Sequence, residues 1–184
     1  INGDKYISCD VARFGSDKTV IVYWEGLHIK KIRSILKSAV NEVVDEIRLL
    51  QQQNNVRLTN IIVDEDGVGG GVKDYMRCRG FINNSRALKG ENYQNLKTQC
   101  YYKLADLVNT AQIGIDCPDI NVKNQIIEEL EQVRTKDADK DNKLQIIPKE
   151  TIKDIIGRSP DYADALAMRM FFELDANYGK YFVQ

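Results

Sequence analysis

The sequence predicts an α/β fold, a mixed sheet that opens with an antiparallel three-strand meander and is flanked by helices. Three observations predict it. Two β-rich runs, Lys5–Asp10 and Thr19–Trp24, are joined by a polar, glycine-containing turn, as in a hairpin. The apolar spacing then switches period, with Val40, Val43, Val44, Ile47 and Leu50 recurring at helical intervals. After that helix, Asn60–Asp64 is a short apolar run bounded by polar residues, the pattern of a buried parallel strand.

The remaining elements follow in order. Glu25-Gly26 makes a second turn, and His28–Leu36 forms the third strand of the meander. Ser38 or Asn41 is placed to cap the first helix, which ends near Gln53-Asn54-Asn55. Gly67, Gly69, Gly70 and Gly71 lead into a helix from Val72 to about Cys78, and Ile82–Leu88 reads as one more strand. Leu96, Cys100, Leu104, Leu107, Val108 and Ala111 share one helical face, as do Ile126, Ile127, Leu130 and Val133. The charged stretch Lys136–Lys143 reads as a hairpin tip or loop, with strands near Gln132–Arg134 and Leu144–Ile147. The last helix runs from about Pro160, suited to a first helical position, to Phe172.

Composition narrows the function classes. The 184 residues, 43% hydrophobic and 29% charged, are expected to form one domain spanning 1–184 with a sizeable core. No apolar run can span a bilayer, and no signal peptide is visible at the start. Cys9, Cys78, Cys100 and Cys117 lack paired spacing, and His28 is the single histidine, which excludes the usual zinc sites and suggests reduced thiols in a cytosolic protein. Lys and Arg total 26 against 27 Asp and Glu, so DNA contact would need a local patch, another domain or metal ions.

Four carboxylates carry the candidate chemistry. Asp10 ends the first strand and Asp64 ends the buried one, so neighbouring strands would bring them together. Asp161 and Asp164 open the last helix three residues apart, and with Met168 they fall within about 60° of arc. Ala163, Leu166, Ala167, Met170 and Phe171 form the opposite face, expected to pack on the sheet. A buried cluster of carboxylates repels itself, and hard divalent ions, Mg²⁺ or Mn²⁺, relieve that repulsion. Two such ions can activate water and stabilise the leaving oxygen of a phosphodiester. Taken singly, each Asp also reads as a turn or cap residue, Asp161 is favoured by the helix dipole alone, and Asp17 and Asp66 read as turn residues.

These residues resemble a known family. Asp10-Val11-Ala12-Arg13-Phe14-Gly15-Ser16-Asp17-Lys18-Thr19 is similar to the Asp-x-Ala-x-x-Gly-x-Asp-x-Thr signature of the nuclease domain of phage terminase large subunits. Val63-Asp64-Glu65-Asp66-Gly67-Val68-Gly69-Gly70-Gly71-Val72 resembles its second block, and Ser159-Pro160-Asp161-Tyr162-Ala163-Asp164-Ala165-Leu166 its third. The resemblance implies a ribonuclease H-like fold and a metal-dependent endonuclease that cuts concatemeric viral double-stranded DNA during packaging in the host cytoplasm. It makes Asp10, Asp64 and Asp164 the catalytic, metal-binding acids. Asp161 is kept with them, because Holliday-junction resolvases of the same superfamily use both acids of such a pair. It further implies an N-terminal ATPase domain, a small terminase subunit and a portal as partners. No Gly-x-x-x-x-Gly-Lys-Ser/Thr loop occurs here, so the chain reads as the isolated nuclease half, monomeric by expectation.

Candidate DNA-backbone contacts are Arg13, Lys18, Lys73, Arg77, Arg79, Arg86, Lys89, Lys97, Lys103 and Arg158. The glycines after Asp64 could cradle a phosphate or only make a tight strand-to-helix turn. Two other classes compete: a docking or DNA-gripping module of the same fold, and an actin-like ATPase, which would need a second lobe that 184 residues do not supply. The nuclease reading requires the acids to meet in one pocket rather than point apart or be tied up by lysines and arginines.

Overall fold

The computed structural model describes residues 3–12, 17–36, 38–137 and 142–175. β1 (Lys5–Asp10), β2 (Lys18–Glu25) and β3 (His28–Leu36) form the antiparallel meander, Lys5 opposite Glu25 and Asp10 opposite Val20. After α1 (Val40–Asn54), β4 (Ile61–Asp64) enters beside β1 and parallel to it, Ile7 against Ile61 and Cys9 against Val63. Then follow α2 (Gly69–Met76), β5 (Arg79–Phe81), α3 (Leu96–Asn109), β6 (Gly114–Ile115) and α4 (Ile120–Gln132). A two-strand ribbon, β7 (Thr135–Lys136) and β8 (Gln145–Ile146), precedes α5 (Lys149–Ile156) and α6 (Asp161–Asp175). The main sheet has the order β5-β4-β1-β2-β3-β6.

Strand alternation divides the core between the two faces of the sheet. Ile7, Cys9, Ile21, Tyr23, Ile61 and Val63 pack with α1 and α2. Val20, Val22, Trp24 and Ile62 pack with α3 and α6. Ser8 shares the second face, because its hydroxyl accepts the Trp24 indole N–H at 3.1 Å. By the same alternation Asp10 and Asp64, at adjacent strand ends, also face α6.

Several elements differ from the sequence expectation. Ala39 stands at the N-terminus of α1 and its N–H donates to Glu42 (2.8 Å), while Ser38 instead bonds Thr19. α2 starts at Gly69 rather than Val72, and of Gly67, Gly69, Gly70 and Gly71 only Gly67 takes a positive φ, +70°. A Cβ on Gly69 would sit 1.7 Å from the Asp64 carbonyl, so the glycine lets α2 close down on the end of β4. The strand expected at Ile82–Leu88 lies earlier, at β5, and β6 and α5 were unanticipated. The strand expected at Gln132–Arg134 lies later, at β7, and pairs with a shorter β8 inside the expected Leu144–Ile147; of the charged stretch between them, residues 138–141 lie outside the described residues.

α6 keeps the expected acidic and apolar sides, and both are enclosed. Every residue from Asp161 to Phe171 is buried, so its acidic side lies inside the protein as well. Its start is held by Glu129 of α4, which accepts the Ala163 N–H at 2.8 Å and is itself paired with Arg158. Further along, the buried Arg169 guanidinium stacks on Tyr6 (3.7 Å) and donates to the Gly26 carbonyl (2.7 Å), tying α6 to the β2–β3 turn. The four cysteines are free thiols.

Candidate active site

Asp10, Asp64 and Asp164 line one cavity of about 470 Å³ at the ends of β1 and β4, under the first turn of α6. The Asp10 carboxylate is the telling member. It is 6% exposed, and no described residue hydrogen-bonds or ion-pairs with it. Burial pushes it well above the usual carboxylate range, Lys149 opposes this, and the charges of Asp164, Asp161 and Asp64 raise it further.

Asp64 is more supported. Its Oδ1 accepts the Asp66 N–H (3.0 Å) and an Asn83 amide N–H (3.3 Å). Burial still raises its pKa, with the Asp66 N–H opposing. Asp164 is the most tightly engaged: Tyr101 O–H donates to Oδ1 at 2.6 Å, Lys97 Nζ lies 2.8 Å from Oδ1, and Lys149 Nζ lies 2.8 Å from Oδ2. Burial acts to raise Asp164, but the two lysines outweigh it and hold the carboxyl well below the usual range. Asp161 does not line the cavity. Its Oδ2 accepts the Lys18 backbone N–H at 2.8 Å, Lys149 stands 3.8 Å from Oδ1, and burial raises its pKa to about 6.

The outcome is therefore mixed. Three of the four expected acids share a pocket, and one of those three is neutralised by lysines. Among the described residues, no three His, Cys, Asp or Glu side chains are disposed to hold a metal ion as they stand. The donor chemistry nonetheless suits a hard divalent cation: the pocket offers carboxylate oxygens from Asp10, Asp64, Asp66 and Asp164, and the buried Asp10 carboxylate has no hydrogen-bond or ion-pair partner among the described residues.

Of the described basic candidates, only Lys97 lines the acidic pocket. Arg13 lies outside the described residues. Lys18 donates to Gln125 (3.2 Å), and Arg79 stacks on Phe171 (4.9 Å) with Asp175 nearby. Arg158 is paired with Glu128 and Glu129. Arg77, Arg86 and Lys89 are exposed, and none of these lines the acidic pocket. The lysines that do are Lys97 and Lys149. Lys149 was missed although helix signals surround it: Pro148 before, Glu150 in the first turn, and Gly157 closing α5 with a positive φ. Tyr101 and Asn83 reach the acids only through tertiary packing, and no sequence pattern announces them.

Neither a protein-family profile nor a curated protein sequence matches the chain. Solved structures do. The nuclease domain of the large terminase subunit gp2 of bacterial virus Sf6 superposes with a TM-score of 0.79 at 22% identity, covering 92% of this chain and 88% of that one. This chain has the ribonuclease H-like fold of the phage terminase nucleases. The large terminase nuclease from thermophilic phage G20c, with bound magnesium, gives 0.58 at 15% identity over 90% of this chain and 79% of that one. A variant of the Sf6 domain with manganese gives 0.75 at 21% identity, with the same 92% and 88% coverage as the first.

Proposed function

We propose that this chain is a metal-dependent DNA endonuclease domain that cuts concatemeric viral double-stranded DNA during genome packaging, by two-metal-ion phosphodiester hydrolysis. The observation that carries this reading is the buried Asp10 carboxylate, which lines one cavity with Asp64 and Asp164 and has no hydrogen-bond or ion-pair partner among the described residues. The shared fold and the metals in the terminase structures support it. Asp10, Asp64 and Asp164 would hold Mg²⁺ or Mn²⁺, with Asp161 beside them. Bound divalent ions supply a lowered pKa for the attacking water and charge stabilisation for the leaving oxygen. Tyr101 orients Asp164 through its 2.6 Å hydrogen bond. Lys97 and Lys149, released from Asp164, present ammonium groups to the phosphodiester backbone.

The same reading makes this single domain one part of a packaging machine, with an ATPase domain of the same polypeptide, a small subunit and a portal as partners in the host cytoplasm. No helix among the described residues is long and apolar enough to cross a membrane. A second reading, a DNA-gripping module without catalysis, is favoured by the lysine pairing of Asp164. Nicking of supercoiled plasmid in Mn²⁺ or Mg²⁺ separates the two. The nuclease converts the plasmid to open circles, and Asp10→Asn and Asp164→Asn abolish the conversion. Undiminished nicking by either variant overturns the assignment.

A further inference from the structure

Asp66 shares the acidic cavity, and Asn83 binds it and Asp64 at once. The Asn83 side-chain amide donates to Asp66 Oδ2 at 2.6 Å and to Asp64 Oδ1 at 3.3 Å, and its backbone N–H also donates to Asp66 Oδ2 at 3.3 Å. Its backbone carbonyl accepts the Lys97 N–H at 3.2 Å, which ties the same residue to the first turn of α3. With those bonds made, Asp64 Oδ2 and Asp66 Oδ1 have no hydrogen-bond partner among the described residues. The adjoining Asp10 carboxylate, buried and without a hydrogen-bond or ion-pair partner among the described residues, is an independent sign that the cavity is built for a cation.

We infer that Asp66 is a further metal-facing carboxylate of the site and that Asn83 is the positioning residue that sets both Asp64 and Asp66 for the ion. A neutral donor suits this task, because it satisfies one oxygen of each carboxylate without discharging it, whereas a lysine there would compete with the ion. The inference rests on the nuclease reading and adds to it a carboxylate and an amide that the family signature does not mark.

The test measures Mn²⁺ affinity of the whole chain without DNA, by electron paramagnetic resonance of free Mn²⁺ or by calorimetry. Melting temperature in chelator serves as the control for folding. Asn83→Ala is expected to weaken Mn²⁺ binding about 10- to 100-fold, the range for outer-shell partners of metal ligands. Asp66→Asn, a near-isosteric change, is expected to weaken it at least about tenfold and decides the matter if Asn83→Ala does not fold. Affinities within twofold of the parent for the folded variants overturn the inference and leave the nuclease reading standing. Failure of the parent itself to bind Mn²⁺ overturns the nuclease reading first.

Discussion

Lys149 stands where a divalent ion would have to act, and its removal tests the electrostatic logic of the pocket. Its Nζ lies 2.8 Å from Asp164 Oδ2 and 3.8 Å from Asp161 Oδ1, and its side chain is 34% exposed. Breaking a fully buried ion pair costs about 3–5 kcal/mol, an exposed one at most about 1 kcal/mol. Lys149 falls between, and Asp164 keeps Lys97 and Tyr101, so Lys149→Met is expected to cost about 2 kcal/mol without metal. For a domain of this size that lowers the melting temperature by roughly 4–8 °C in chelator. An ion that takes Asp164 from Lys149 must overcome the same interaction in the parent, so the variant should bind Mn²⁺ about 10- to 30-fold more tightly. Thermal melts across a Mn²⁺ titration read both effects in one experiment. If the variant melts no lower in chelator, or binds Mn²⁺ no better, then Lys149 is not balancing the acids and the reasoning fails.

Two further outcomes follow from the same charges. Asp10→Asn removes a charge that burial disfavours, and the raised pKa of Asp10 means that the folded state holds its proton more tightly than the unfolded one. That term makes the parent less stable as pH rises above about 4, so the variant should gain nothing near pH 4 and be the more stable of the two at pH 8 in urea unfolding; a loss of stability at pH 8 would contradict this. Metal binding should also release protons, since burial raises Asp10, Asp64 and Asp161, the last to about 6. Mn²⁺ affinity is then expected to climb from pH 5.5 to 8 (about tenfold per proton released per pH unit), and calorimetry in buffers of different ionisation enthalpy counts those protons; a pH-independent affinity would refute it.

Much of the fold was legible because local periodicity and burial agree. The meander follows from alternation in Thr19–Trp24, where Val20 and Val22 serve one face and Ile21 and Tyr23 the other. Asp10 and Asp64 were placed correctly at strand ends because each follows an apolar run that the sheet buries. The inward-facing acidic side of α6 was legible from the Asp161–Asp164 spacing, but its partners were not: Glu129 at the helix start, together with Lys97 and Lys149, lets those acids enter the interior. β6, two residues long, is defined by its pairing with His28 and Ile29, and nothing within two residues can signal a partner so distant in sequence. Asn83 depends likewise on β5 lying beside β4, a pairing that its own neighbours do not encode.

Because α6 is enclosed from Asp161 to Phe171, the helix that presents Asp164 has no local route to open. Its amides should exchange with solvent deuterium only through global unfolding, while the two-residue strands of the β7–β8 ribbon exchange by fraying. The acidic pocket thus inherits the cooperativity of the core: it is lost in the same transition as the whole domain, leaving adjustments of the site to lysine side chains rather than to the backbone.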